Sequence, residues 1–193
     1  KKKLSLAGES LFSDIAIVDS ELTSELPNSV TLSTALDGLI QCLEAIWNRN
    51  TNDLITNIAL MGIEASIAGF DSYLRLGNFD KSREAFSYAS LMSGICISNT
   101  RTAICHSISY PMTAHFEIPH GLACCFSLPG VLQVLQDDGS LENSTALLNI
   151  SERVSEIIRR LNSIDVKNSI VFFTWKAIFK NDTRPHRMSS LYI

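Results

Sequence analysis

From about residue 31 to residue 135, apolar residues recur every three or four positions, the spacing of helices that bury one face. Leu36, Leu39, Ile40, Leu43 and Ile46-Trp47 predict a first helix. Ser33 or Thr34 can cap it, with Asp37 in its first turn. A second helix is expected from Asn52 to Leu74, stopping near Gly77. A third starts around Asp80, carries Ala85, Phe86, Ala89, Leu91, Met92 and Ile95, and ends near Ser98-Asn99. Its small residues Ala85, Ala89, Ser93 and Gly94 permit close helix packing. A short helix is expected over 100–111, ending before Pro111, then a loop over 112–120. Another helix follows Gly121 and is interrupted at Pro129-Gly130. After a loop at Asp137–Ser140, residues 144–162 are amphipathic through Leu147, Leu148, Ile150, Val154, Ile157, Ile158 and Leu161.

The one strand signal is Ile15 to Val18, a short β-branched run bounded by aspartates. A lone strand is not stable without a partner, and the rest of the chain offers none. The pattern therefore reads as an all-α domain over 31–165, a strand and connection over 1–30, and a divergent or truncated C-terminal segment over 166–193. No internal repeat or low-complexity tract is present.

Composition narrows the classes. The 193 residues suffice for one domain with a sizeable core. A hydrophobic share of 46% and a charged share of 19% are those of a globular protein. With 16 basic and 20 acidic residues the net charge is −4, which argues against a nucleic-acid surface. Lys1-Lys2-Lys3 followed by Leu4–Gly8 faintly resembles a secretion signal, but Glu9 and Asp14 interrupt it. The apolar stretch Asn57–Phe70 carries Glu64 and is short for a membrane span, so a cytoplasmic protein without membrane contact is expected. The five cysteines, Cys42, Cys96, Cys105, Cys124 and Cys125, show no CxxC spacing. They read as reduced, buried apolar residues rather than as a disulfide framework or zinc ribbon. Asn143, Asn149 and Asn181 begin glycosylation-type triplets that read as chance matches.

Candidate chemistry is sparse. Asp37 and Gln41 stand one helical turn apart, so their oxygens project from one face. His106 falls on a helix, and His120 lies between Pro119 and Gly121 where the chain turns. A divalent transition metal accepts imidazole nitrogens together with such oxygens. Spacing alone leaves the plainer readings open: a solvated helix face for the first pair, a core and a loop histidine for the second.

Two longer stretches resolve this by resemblance. Ser33–Glu44 (STALDGLIQCLE) resembles the metal-binding helix of iron-containing, group III alcohol dehydrogenases. His106–Pro111 (HSISYP), followed by His115–Ala123 (HFEIPHGLA), resembles that family's second signature. Ser90–Asn99 fits as well, and Asp14–Asp19 resembles the last strand of the family's α/β nucleotide-binding domain. The likeness covers roughly residues 10–135. It implies the helical C-terminal domain of that fold, with a short N-terminal strand belonging to the nucleotide-binding domain. Carried over by position, it implies metal ligands at Asp37, Gln41, His106 and His120, binding Fe²⁺ or Zn²⁺. Gln41 replaces the usual histidine and, like Tyr110-Pro111 in place of His-Pro, resembles the branch with phosphonoacetaldehyde reductases. A neutral amide oxygen implies weaker metal retention and less certain metal choice. His115 is a candidate for proton transfer or for facing the nicotinamide, and Tyr110 takes the place of the usual relay histidine. Arg101 is a candidate for holding an anionic substrate end, or a surface arginine at a helix end.

No GxGxxG or P-loop occurs. The resemblance places the pyrophosphate-binding segment in an N-terminal domain, so NAD(P) is expected only together with that domain, as a separate polypeptide or otherwise. Two expectations result. One is the metal- and substrate-binding half of an NAD(P)-dependent alcohol dehydrogenase or aldehyde reductase, inactive alone. The other is a stable, non-catalytic helical remnant, with or without metal. Apolar faces left bare would favour a homo-oligomer.

Overall fold

In the computed structural model the described residues are 8–76, 79–137, 150, 152–154 and 157. Among the described residues the fold is carried by α1 (Asn28–Ile46), α2 (Asp53–Leu76), α3 (Phe79–Thr100), α4 (Ile104–Phe116) and α5 (His120–Asp137). No strand occurs among the described residues. The helices α2 and α3 form one antiparallel hairpin, α4 and α5 a second, and α1 packs against both. The helix bearing Asp37 is thus the central element. All-α architecture is as the periodicity predicts.

The core follows from the apolar stripes. Leu39, Ile40, Cys42 and Ala45 of α1 meet Ile63, Ile67 and Phe70 of α2, Cys96 of α3, and Cys124 and Leu128 of α5, all at most 2% exposed. The Phe70 and Phe86 rings stand 4.9 Å apart at 59°, locking α2 to α3. Arg83 of α3 is buried and donates to the carbonyls of Thr23 and Leu26 and to the Thr31 hydroxyl. It pins the short 3-10 turn Ser20–Thr23 and the start of α1 onto α3.

Several boundaries differ from the expected ones, each for a local reason. The first helix begins at Asn28, behind Pro27, rather than at Ser33 or Thr34. The Thr34 hydroxyl is satisfied inside the helix by the carbonyls of Val30 and Thr31, at 3.0 and 3.1 Å, so it caps nothing. Asn52 does cap α2, its Oδ1 accepting from Ile55 N at 3.0 Å. Pro111 and Pro129 lie inside α4 and α5 instead of ending or interrupting them. The loop expected over 112–120 therefore shrinks to three residues, with Glu117 in the left-handed region at φ 57°. Residues 15–18 form no strand; Ile15 and Ile17 are 80% and 86% exposed, because no second strand lies alongside to complete the ladder.

The apolar stretch Asn57–Phe70, expected to be short for a membrane span, lies within α2. By length and composition 53–74 is long and apolar enough to cross a membrane. Here its apolar face, including Ile55, Ala59, Ile63, Ile67 and Phe70, is buried in the helical core. Of the amphipathic segment 144–162, the described residues 150, 152–154 and 157 are helical, and Val154 and Ile157 join the core. The segment 166–193 lies outside the described residues.

Two helical glycines test the packing with opposite signs. A Cβ at Gly62 would lie 2.6 Å from Cys42 Sγ and 2.9 Å from Met92 Cβ, whereas one at Gly94 meets nothing within 4 Å. Gly62→Ala is expected to lose about 1–3 kcal/mol to overpacking, and Gly94→Ala to gain about 0.8–1 kcal/mol of helix propensity. Urea denaturation of the two variants checks both signs.

Candidate metal centre

The site begins with a charge where none is expected. Glu44 lies in the apolar run of α1 and its side chain is wholly buried. A buried carboxylate is costly unless hydrogen bonds replace its water. Here the replacement comes from the start of α4. Ala103, at the N-cap of α4, offers no side-chain cap. The Glu44 carboxylate does the capping from another helix. It accepts from the backbone N–H groups of Ala103 (2.7 Å), Cys105 (2.5 Å) and His106 (3.3 Å). These donors are the unpaired amides of a helix N-terminus, where the dipole also favours an anion.

The same carboxylate holds the His106 ring, with Oε2 2.7 Å from Nδ1. That bond fixes the ring so that the other nitrogen, Nε2, faces Asp37 Oδ1 at 3.2 Å. Asp37 lies seven residues, two helical turns, before Glu44 on α1. Burial pulls the His106 pKa down. Hydrogen bonds to Asp37, Cys124 and Glu44 outweigh it and push the pKa up to about 12. Burial raises the Glu44 pKa, but the bonds to His106, Ala103 and Cys105 bring it below the ordinary carboxylate value. Without a cation, the pair is a buried imidazolium between carboxylates.

His120 arrives from the opposite direction, at the first position of α5. Its Nε2 is 3.8 Å from Asp37 Oδ1, and its ring is edge-on to that of His106, centroids 5.4 Å apart. Ser109 Oγ lies 3.3 Å from its Nδ1. Tyr110 stacks on the His120 ring at 6.1 Å and 12°, while its hydroxyl meets Thr102 Oγ1 at 3.2 Å. Gly121 makes this approach possible. A Cβ there would come within 1.7 Å of the Ser33 carbonyl oxygen, so α5 starts in direct contact with the α1 backbone.

Asp37, His106 and His120 are thus brought together, and a fourth side chain joins them. Cys124, one turn after His120 on α5, is fully buried. One ligand atom from each of the four lies within 4.8 Å of the others. Gln41 is half-buried on α1, one turn after Asp37. His115 is exposed in the last turn of α4 and is not one of the four. Arg101 is exposed, with φ 66°, and its amide N–H bonds back to Ile97 to end α3. It lines a cleft with Trp47, Arg49, Asn50 and Thr102 that contains none of the four.

Two participants escaped the sequence reading. Glu44 was visible as a carboxylate two turns from Asp37 inside an apolar stripe, a position where a charge needs a partner. Cys124 was visible four residues after His120, hence on the same helix face. Substituting Gly121 by Ala is expected to push α5 off α1 and cost roughly 3 kcal/mol or more. Gly130→Ala, which meets nothing within 4 Å, is the control in the same thermal melts.

Residues 31–171 match the Fe-containing alcohol dehydrogenase family, C-terminal. The chain is 35% identical over 133 residues to the NADPH-dependent butanol dehydrogenase of Clostridium saccharobutylicum, covering 68% of this chain and 33% of that protein. It is 32% identical over 132 residues to the probable alcohol dehydrogenase EutG of Escherichia coli, again covering 68% and 33%. Among solved structures, the sulfoacetaldehyde reductase of Bifidobacterium kashiwanohense in complex with NAD⁺ aligns with a TM-score of 0.62 at 22% identity, covering 74% of this chain and 40% of that one. The chain spans about a third of the length of the curated relatives it matches. With the family signature running through the helices that carry Asp37, His106 and His120, this chain belongs to the Fe-containing alcohol dehydrogenase family and carries its C-terminal domain.

Proposed function

We propose that this chain supplies the metal- and substrate-binding part of an NAD(P)-dependent alcohol dehydrogenase or aldehyde reductase. The observation that carries this is the convergence of Asp37, His106 and His120 on one point, with His106 held by a buried carboxylate. Their chemistry fits a divalent cation. Metal–nitrogen and metal–oxygen bonds of about 2.0–2.2 Å put tetrahedral neighbours roughly 3.3–3.6 Å apart. The Asp37–His106 and Asp37–His120 separations, 3.2 and 3.8 Å, bracket that range. Asp37, His106 and His120 would hold Fe²⁺ or Zn²⁺, with Gln41 adding a neutral oxygen from the next turn of α1. When bound, the cation polarises a substrate oxygen as a Lewis acid while a nicotinamide cofactor exchanges hydride.

The chain's own residues do the positioning. Glu44 keeps His106 Nδ1 protonated and Nε2 free for the cation, the carboxylate–histidine–metal relation. Tyr110 stacks on His120 and sets its ring plane, which makes it a positioning residue. His115, exposed at the end of α4, is the proposed proton exchanger with solvent. Arg101, also exposed, is the proposed contact for an anionic substrate end. The substrate class is a small alcohol or aldehyde, in keeping with the named activities of the relatives. The nicotinamide site is assigned to no residue of this chain and is proposed to come from a nucleotide-binding domain or polypeptide.

The test is metal content after anaerobic addition of Fe²⁺ or Zn²⁺. About one equivalent is expected in the wild type, because a single preformed site must be filled. The double variant His106→Ala/His120→Ala is expected to retain none. Stoichiometric metal in that variant would overturn the assignment.

A further inference from the structure

The two histidines of the proposed centre are supported differently. His106 sets its Nδ1 against a buried carboxylate, Glu44 Oε2 at 2.7 Å. His120 has a hydroxyl in the corresponding place, Ser109 Oγ at 3.3 Å from Nδ1. Two other contacts hold the His120 ring without telling its nitrogens apart. Tyr110 stacks on it, and Cys124 Sγ rests against it, 3.8 and 3.9 Å from Nε2 and Nδ1. The Ser109 contact does distinguish them. It falls on Nδ1 and leaves Nε2 on the side of Asp37, 3.8 Å from Oδ1.

The hydroxyl's own bonding sets the direction of that contact. A serine hydroxyl has one proton to donate and two lone pairs to accept with. Ser109 has no solvent exposure, and its Oγ donates to the His106 carbonyl at 2.7 Å. What it turns to His120 is therefore a lone pair, and the donor is Nδ1–H. A neutral imidazole carries one N–H, so its other nitrogen is then an open lone pair. The bond to the His106 carbonyl has a second effect. It ties the hydroxyl to the turn of α4 that bears His106, three residues earlier. One helical turn thus carries one histidine and orients the other.

We propose that Ser109 is a positioning residue of the metal centre: it accepts Nδ1–H of His120, so that His120 offers Nε2 to the cation. This inference rests on the proposed metal site. A hydroxyl is a neutral acceptor, weaker than the carboxylate that holds His106. His120 is accordingly the more loosely held of the two rings.

Nuclear magnetic resonance of the full chain loaded with Zn²⁺ reads this directly, because long-range proton–nitrogen correlations show which ring nitrogen is protonated and which binds metal. In the wild type His120 is expected to bind through Nε2, with an Nδ1–H that exchanges slowly with water. Ser109→Ala is expected to weaken Zn²⁺ binding about 10-fold and to expose the His120 Nδ1–H to rapid exchange. The His106 Nδ1–H, held by Glu44, is expected to stay protected in the same variant. A role confined to folding would move both signals together and would overturn the proposal. Unchanged affinity and unchanged His120 protection in Ser109→Ala would do the same. The wild-type assignment does not depend on how the variant folds. Zn²⁺ bound through His120 Nδ1 would overturn the role of Ser109 and leave the metal site standing. No Zn²⁺ bound by the wild type would overturn both.

Discussion

A single buried carboxylate organises this domain. Glu44 has no water to solvate it, so its position is tolerable only while the first turn of α4 and the His106 ring surround it. The obligation runs both ways. The start of α4 has no cap of its own, and its amides would otherwise be buried without partners. Losing either side of such an arrangement costs about 3–5 kcal/mol, since it leaves an uncompensated buried charge. One interaction therefore joins α4 to α1, orients the His106 ring and aims its Nε2 at Asp37.

The remaining geometry is built around that axis. α1 lies between two helical hairpins and contributes Asp37 and Glu44 from one side. The second hairpin brings His106 and His120 from its two arms, with the left-handed Glu117 turning the chain between them. Gly121 removes the side chain that would hold α5 away from α1. The α2–α3 hairpin carries no member of the donor group. It supplies the apolar mass, through Ile63, Ile67, Phe70 and Phe86, against which α1 is held rigid. Rigid helices are the better platform for such a constellation, because a ligand set loses affinity when its members drift.

The helices were legible because burial imposes a period on the chain, and α2 and α3 fall close to where the apolar stripe starts and stops. The ends were less legible. Ser33 and Thr34 look like caps, but a hydroxyl can equally bond the carbonyl one turn back, as Thr34 does. Pro111 and Pro129 look like breaks, but each removes only one hydrogen bond, and packing against a neighbouring helix outweighs it. Asp37, Gln41, His106 and His120 stand out only through resemblance, since four polar residues at such separations carry no geometric signal by themselves. Glu44 and Cys124 stand in the right helical phase. Their significance needed the third dimension, because each depends on contacts between helices that no spacing along one helix can show.

In the proposed site Glu44 acts through His106 on the metal rather than merely filling the core. The measurement is Zn²⁺ affinity by competition with a chelator for the wild type and for Glu44→Gln, which keeps the shape and removes the charge. Binding weaker by about 10–100-fold is expected in the variant, with the helical fold retained by circular dichroism. Equal affinity in the two proteins would contradict it, and would reduce Glu44 to a cap for α4.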